Sequence, residues 1–232
     1  MFYTIGEDAV VDSLRIEITQ GEKMSASLAH ENKGLVDHVK VVADTIDVDG
    51  GLVYENEGTI RNSTFKGSIK DGSGFVRRNK GLISACTTWV DVFDARYNGG
   101  SGFVNENYGT IENSVADGSI KGRDVAGFAL SVNADGVIRN SHASVHVNGA
   151  GFVKESYGNI INCFATGTTF YGFVNTNKGN IEKSFAIGNS IDSTSHSRAF
   201  ANSNEGNIRK SYSLGKGHDY FIYVNGGLIE DS

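Results

Sequence analysis

Residues 102–120 read GFVNENYGTIENSVADGSI, and close variants of this stretch recur along the chain. The clearest copies are GLVYENEGTIRNSTFKGSI at 51–69, GFVKESYGNIINCFATG at 151–167 and GFVNTNKGNIEKSFAIG at 172–188. They share the pattern G-F-V-x-x-N-x-G-x-I-x-x-S-x-A-x-G. A repeat at such a period is typical of a solenoid, in which each copy forms one coil of a stack.

Weaker copies begin at Met1, Ser27, Gly74, Gly127, Ala199 and Tyr220, so the chain has ten starts that lie 21 to 28 residues apart. Such repeats are too short for two helices, and their short apolar runs separated by glycine favour strands. We therefore predict an all-β fold, a right-handed parallel β-helix of about ten coils. The 232 residues form one β-solenoid domain, with 1–26 as an atypical N-terminal capping coil and 27–232 as the regular repeats.

Two apolar columns run through the repeats and predict the core. The aromatic or leucine column is Phe2, Leu28, Leu52, Phe75, Phe103, Phe128, Phe152, Phe173, Phe200 and Phe221, and the β-branched column begins at Val10, with two extra residues allowed within 130–135. In the same alignment, Asp8 of the first copy takes the place of the glycine that follows the asparagine in the pattern. Ser13 takes the place of the pattern's serine, a position we call the serine column. The residue after each phenylalanine is usually valine. Either the chain bends there and buries both side chains, which we favour, or a valine stripe is exposed.

Polar columns predict how the coils hold their register. Glycines recur at one turn, for which we expect positive φ angles, and asparagines two residues earlier are expected to form a ladder that Ser156 interrupts. Charges alternate in sign along a column that begins Asp37, Arg61, and along a second that begins Lys33, Glu57. We expect ion pairs between coils along both columns.

The repeat pattern resembles the GLUG repeat, a glycine-rich module of bacterial surface proteins, over nearly the whole chain. The resemblance implies a β-helical stalk or adhesin-like protein, secreted or displayed at the cell surface. It implies little about activity, because a fold does not fix a function.

Composition excludes several classes of function. The formal net charge is −6, which argues against a nucleic-acid partner, since such proteins carry a basic surface. No run of eighteen apolar residues occurs, and residues 1–13 lack the charged and apolar regions of a signal peptide. We expect no membrane insertion from this sequence.

Few side chains suggest chemistry. Cys86 and Cys163 occupy the serine column about 14 Å apart, too far for a disulfide, so we expect two buried free thiols. His142 and His146 lie on one face of a predicted strand and are interpreted as a solvated pair. We expect no metal and no cofactor.

Two acidic groups could serve a glycan-cleaving enzyme, as paired carboxylates do. They are Asp44, Asp47 and Asp49, and then Asp91 and Asp94 with Arg96. A coil separates the groups, and the copy at 50–69 adds no acid at matching columns. The sequence thus predicts no catalytic residues and no enzyme.

Binding is expected where the repeat fails, at two longer segments, 87–101 and 188–198, interpreted as loops that leave the stack. The first, TTWVDVFDARYNGGS, holds the only tryptophan. Its residues Trp89, Phe93, Arg96 and Tyr97 are of types enriched in binding surfaces, although a loop packed on the flank is the alternative.

The leading hypothesis is a non-enzymatic, adhesin-like binding or stalk module that contacts a glycan or a protein through its flank and the Trp89 loop. The alternatives are a phage-encoded or intracellular inhibitor or mimic acting by protein–protein interaction, consistent with a cytoplasmic or phage-associated location, and a glycan-cleaving enzyme. Because Asp231 and Ser232 fall midway through the tenth coil, we also expect pairing of that open edge with a second copy.

Overall fold

The computed structural model is an all-β stack of parallel strands, a right-angled β-solenoid of about nine turns, close to the ten coils expected. It describes residues 1–19, 23–95, 99–190, 198–216 and 220–232. Within these ranges every regular element is a strand. The described part of the chain contains no helix long and apolar enough to span a membrane.

The strands are short and follow one another in a repeating order. The first ten are β1 Phe2–Ile5, β2 Val10–Asp12, β3 Arg15–Ile18, β4 Met24–Ala26, β5 Ala29–Asn32, β6 Leu35–Asp37, β7 Lys40–Ile46, β8 Val48–Gly50, β9 Val53–Asn56 and β10 Thr59–Arg61. Next are β11 Thr64–Ile69, β12 Val76–Asn79, β13 Leu82–Ser84, β14 Thr87–Ala95, β15 Val104–Asn107, β16 Thr110–Glu112, β17 Val115–Gly122, β18 Ala129–Val132, β19 Val137–Arg139, β20 His142–Ala150 and β21 Val153–Ser156. The last are β22 Asn159–Ile161, β23 Phe164–Tyr171, β24 Val174–Asn177, β25 Asn180–Glu182, β26 Phe185–Ser190, β27 Arg198–Asn204, β28 Asn207–Arg209, β29 Tyr212–Leu214, β30 Tyr220–Asn225 and β31 Leu228–Glu230.

Each regular coil contributes three strands, and like strands pair in parallel from coil to coil. The asparagine face contains β1, β5, β9, β12, β15, β18, β21, β24, β27 and β30. Most of these strands end on a residue of the asparagine column. The short face is a ten-stranded sheet that runs from β2 to β31. The long face includes the two longest strands, β14 and β20, and consists of β3, β7, β11, β14, β17, β20, β23, β26 and β29. Of the candidate binding residues, Trp89 and Phe93 lie on the long face.

The core is the predicted phenylalanine stack. Phe103 and Phe128 have ring centroids 4.7 Å apart, and Phe128 and Phe152 lie 4.8 Å apart. The following residues, such as Val104 and Val153, are also fully buried. The chain bends at each phenylalanine, so both neighbours face inward, and the favoured interpretation of the valine column is confirmed.

The turn glycines are required by close approach between coils, so the prediction that they have positive φ angles was wrong. A Cβ atom on Gly81 would stand 2.0 Å from the carbonyl oxygen of Gly58 in the preceding coil, which no side chain could tolerate. Positive φ angles occur instead at the corner between the short and long faces, at Ser13, His38, Asn62, Ala85, Asn113, Asn140, Asn162, Lys183 and Lys210. This corner turns the chain sharply into the long face.

The asparagine ladder is confirmed, with two interruptions. Asn79 Nδ2 donates to Asn107 Oδ1 at 2.8 Å, and Asn177 donates to Asn204 at 2.7 Å. Both Val132 and Ser156 stand between Asn107 and Asn177 in register, so the ladder is broken over two coils and not by Ser156 alone. The extra residues expected within 130–135 include the turn at Ala134 and Asp135.

Ion pairs link coils along both charged columns. Arg61 Nε lies 2.7 Å from Asp37 Oδ2 on the short face, and Lys80 Nζ lies 2.9 Å from Glu57 Oε1 in the second column. A further ladder runs along the serine column, where the backbone N–H of Cys86 donates to Ser114 Oγ at 3.3 Å. These polar contacts fix the register that the apolar stack alone would leave free to slip.

The first coil differs from its predicted alignment by one residue. Phe2 pairs with Ala29, not with Leu28, and Val11 instead of Val10 faces Val36. Ser13 adopts the left-handed corner conformation that His38 has in the next coil, so it does not belong to the serine column. Phe2 is consequently 47% exposed and is not part of the core stack.

Candidate functional site: the Trp89 groove

Trp89 lies in a strand, not in a loop. The prediction that residues 87–101 leave the stack was wrong for residues 87–95, which form β14 and pair with β11 on one side and β17 on the other. Side chains alternate along the strand, so Thr88 and Val90 are buried while Trp89 points outward with 46% of its surface exposed. The indole is therefore held on a rigid sheet.

A groove of about 360 Å³ crosses the long face beside this indole. We call it the Trp89 groove, and its lining is Val42, Ala43, Asp44, Lys66, Gly67, Ser68, Trp89, Val90, Asp91 and Gly118. Lys66 stands directly opposite Trp89 on β11, and Ser68 stands opposite Asp91. Four neighbouring strands, β7, β11, β14 and β17, thus contribute to one surface.

Glycines keep the strands close together along the groove. Gly118 has a φ of +128°, and a Cβ atom there would stand 2.0 Å from the carbonyl oxygen of Val90. At Gly67 a Cβ atom would stand 2.3 Å from the carbonyl oxygen of Ala43. Both glycines are therefore required by the close approach of neighbouring strands beneath the groove.

A β-bulge brings the carboxylate of Asp44 into the groove. Gly67 pairs with Ala43 and the next residue, Ser68, pairs with Thr45, so Asp44 is an extra residue on β7. Bulges of this kind re-aim side chains and recur next to binding sites. Asp44 and Asp91, assigned to separate acidic groups in the sequence, therefore line the same groove.

The groove combines an aromatic ring with hydrogen-bonding groups. The exposed indole offers an apolar face, the carboxylates of Asp44 and Asp91 accept hydrogen bonds, and Lys66 donates them. A sugar ring has the complementary surface, with C–H groups on its face and hydroxyls at its rim. The groove is suited to binding such a ring.

The remaining predicted binding residues are divided between the strand and its continuation. Phe93 lies further along β14, 39% exposed, on the same outward side as Trp89. Arg96 and Tyr97 lie outside the described residues, as do residues 191–197 of the second predicted loop. Its ends, Gly188 and Arg198, lie in strands β26 and β27.

The other predicted acids form a cluster away from the groove. Asp47 and Asp49 lie near Asp71. The sequence did not predict Asp71 as part of this group, because it lies just beyond the repeat copy at 50–69. Burial, with the charges of Asp47 and Asp49, raises the pKa of Asp71. Arg77 Nη1 lies 3.8 Å from Asp49 Oδ1, so part of this negative charge is compensated.

His142 and His146 both have partners within the protein. His142 stacks on Phe164 with centroids 4.4 Å apart, and its burial lowers the pKa of the imidazole. His146 Nδ1 lies 2.7 Å from Thr168 Oγ1. His142 is thus partly buried, whereas His146 is exposed as expected.

One group of potential metal ligands occurs among the described residues, formed by Asp12, Asp37 and His38. His38 Nδ1 lies 2.8 Å from Asp37 Oδ1. Asp37 also accepts hydrogen bonds from Asn62 and Arg61, of which the Asn62 bond is the main cause of its lowered pKa. The carboxylate is thus already engaged by protein donors.

The cysteines are buried free thiols, as predicted. Burial raises the pKa of both Cys86 and Cys163 to about 12. Because the thiolate is the reactive form, neither residue is suited to act as a nucleophile near neutral pH.

No known protein family, curated protein or solved structure matches this chain. The groove itself is therefore the guide to function.

Proposed function

We propose that this chain is a non-enzymatic glycan-binding module, in which the Trp89 groove holds a sugar ring against the flank of the solenoid. The observation that carries the proposal is the exposed indole, fixed on a nine-residue strand and bordered by Lys66, Asp44 and Asp91. An exposed tryptophan costs solvation unless a partner covers it, and a rigid support spares the ordering entropy of binding.

The resemblance to GLUG repeats supports the setting of this activity. In that setting the solenoid is an adhesin-like stalk, secreted or displayed at a cell surface, and its long face presents the groove to glycans. The regular ladders give the stalk stiffness, while the groove supplies recognition. A protein partner at the same face is the competing outcome, and the experiment below separates the two.

A glycan array followed by calorimetry of the strongest ligand tests the proposal, with Trp89→Ala as the variant. We expect a loss of about 2 kcal/mol of binding free energy, or roughly thirtyfold in Kd, as for removal of an aromatic anchor. Ile187→Ala is the matched control, because Ile187 stands in the same outward row on β26 and is 41% exposed, yet does not line the groove.

Equal binding by wild type and Trp89→Ala would contradict the proposal. If no glycan on the array binds while a protein ligand is captured in a Trp89-dependent manner, the groove serves protein recognition and the glycan assignment is wrong.

A further inference from the structure

A second cavity lies on the same flank, where β17 and β20 reach the edge of the long face. Its volume is about 360 Å³. The polar and aromatic side chains around it are Arg123, Asp124, Asn148, Lys154, Tyr171 and Asn175. We call it the Arg123 cavity.

The cavity is built on an irregular piece of backbone. Val147 pairs with Thr169 and Ala150 pairs with Tyr171, so two residues, Asn148 and Gly149, stand opposite one on β23. The side chain of Asn148 both donates to the carbonyl oxygen of Gly122 at 2.9 Å and accepts from its N–H at 3.3 Å. The bulge and these two hydrogen bonds fix Asn148 against Gly122, and both residues line the cavity.

The chain then turns through an unfavourable conformation at the rim. Gly122 has a φ of +156° and Asp124 a φ of +55°. A non-glycine residue in the left-handed region costs about 1 kcal/mol or more, and such strain clusters at binding sites. The turn places Arg123 at the mouth of the cavity with its side chain exposed to solvent.

The charged side chains at the cavity include one cation without an ion pair to another described residue. Lys154 is only 26% exposed in its side chain, and its Nζ lies 3.1 Å from Asp124 Oδ1 and 3.8 Å from Glu155 Oε1. Arg123 forms no ion pair with any other described residue. Since Asp124 and Glu155 engage Lys154, the guanidinium of Arg123 is the cation left to meet a ligand.

Neutral groups complete the lining. The carboxamide of Asn175 makes no hydrogen bond to another described residue, so no internal contact holds it. Tyr171 presents an aromatic ring, and the guanidinium of Arg198 lies 5.7 Å from the centroid of that ring. A cation, the free amide of Asn175 and an aromatic ring at a cavity of this size fit one sugar residue that carries a carboxylate.

The geometry points to the Arg123 cavity as a subsite for an acidic sugar, with the carboxylate of the ligand on the Arg123 guanidinium. This inference rests on the proposed function and names the class of glycan. Strand β17 connects the two sites, because Gly118 lines the Trp89 groove and Gly122 lines the cavity. Four residues of strand span about 13 Å, so one oligosaccharide can reach both.

The protein as a whole repels anions, since its net charge is −6. Binding of an acidic glycan therefore requires a local cation, and removal of that cation should have a large effect. Calorimetry would use trigalacturonic acid, a hyaluronan tetrasaccharide and a trisaccharide ending in N-acetylneuraminic acid, each beside its methyl ester. We expect at least one acid to bind and its ester to bind about tenfold more weakly, because the ester loses the charge-assisted hydrogen bond.

The variant is Arg123→Gln, and Lys121→Gln is its control. Lys121 is also exposed and lies two residues earlier, on strand β17, and its substitution removes the same charge, but it does not line the cavity. Arg123→Gln should weaken the acid about tenfold and leave the ester unchanged, whereas Lys121→Gln should change neither by more than about twofold. Lys154→Gln, with its fold checked by circular dichroism, should weaken the acid as well.

Equal effects of Arg123→Gln and Lys121→Gln, equal affinity for acid and ester, or no binding of any acid on the panel would overturn the subsite. These failures differ from failure of the Trp89 groove. A groove without an acidic subsite gives Trp89-dependent binding of neutral glycans that Arg123→Gln leaves intact, and a subsite without the groove gives Arg123-dependent binding that Trp89→Ala leaves intact.

Discussion

Replacement of Gly81 by alanine tests the close packing between coils. The added Cβ atom would stand 2.0 Å from the carbonyl oxygen of Gly58. The same oxygen accepts a hydrogen bond from Leu82 at 3.0 Å, and the buried Asn56–Asn79 bond of 2.8 Å lies beside it. The two coils must separate by about 1 Å to relieve the overlap, since nonbonded carbon contacts need about 3.5 Å or slightly less.

The magnitude follows from the bonds that this separation breaks. Loss of the Leu82 hydrogen bond costs about 1 kcal/mol, and an unsatisfied buried amide in the ladder costs about 1–3 kcal/mol more. We therefore expect Gly81→Ala to lower the free energy of unfolding by about 2–4 kcal/mol. Equilibrium unfolding in urea, followed by far-ultraviolet circular dichroism, measures the change.

Gly6→Ala provides the matched control, because no atom lies within 4 Å of a Cβ placed there. It should change stability by less than about 0.5 kcal/mol. A loss below about 1 kcal/mol for Gly81→Ala would refute the reasoning.

Ala85 offers a contrast at the corner, where its φ is +53°. Ala85→Gly should raise the free energy of unfolding, because the constraint there is the backbone conformation and not a close contact.

Two further predictions concern buried and paired groups. Cys86 and Cys163 should resist a thiol reagent at pH 8 in the folded protein and react completely in denaturant, because their pKa of about 12 keeps them protonated; fast labelling of the native protein would contradict their burial. The pKa of Asp37 is lowered on folding, so its stabilising contribution is present above the unfolded value and is lost as pH falls through the folded one. Asp37→Asn should therefore lose less stability on acidification than wild type. Identical stability profiles for the two proteins would exclude the Asp37 carboxylate as a contributor.

Much of the fold could be read from the sequence because stacking forces like residues into columns. The phenylalanine and asparagine columns each repeat one residue type at a fixed position of the sequence repeat, and the structure contains both. The corner residues with positive φ angles were missed because Asn62, Ala85 and Lys183 share a conformation without sharing a residue type. The first coil was misaligned because Val10 and Val11 are equally plausible members of the β-branched column.

The candidate sites were only partly predictable. The sequence predicted Trp89 as a binding residue because it is the only tryptophan in the chain. Its segment was predicted to be a loop because β14 is longer than the strands of most other coils. Asp44 joins Asp91 only through a one-residue bulge, and the Arg123 cavity depends on another at Asn148. Bulges change the register between neighbouring coils, and a pattern within one repeat contains no information about that register.

The interruption at Val132 and Ser156 divides the asparagine ladder into two hydrogen-bonded blocks. Within each block every amide donates toward the C-terminal end, so the bonds polarise one another, and that mutual reinforcement stops at the break. Lys154 lies on the strand that carries Ser156, so the Arg123 cavity lies beside the break in the ladder. The parallel backbone pairing and the phenylalanine stack continue through these two coils, so the break interrupts the side-chain polarisation and leaves the stack itself intact.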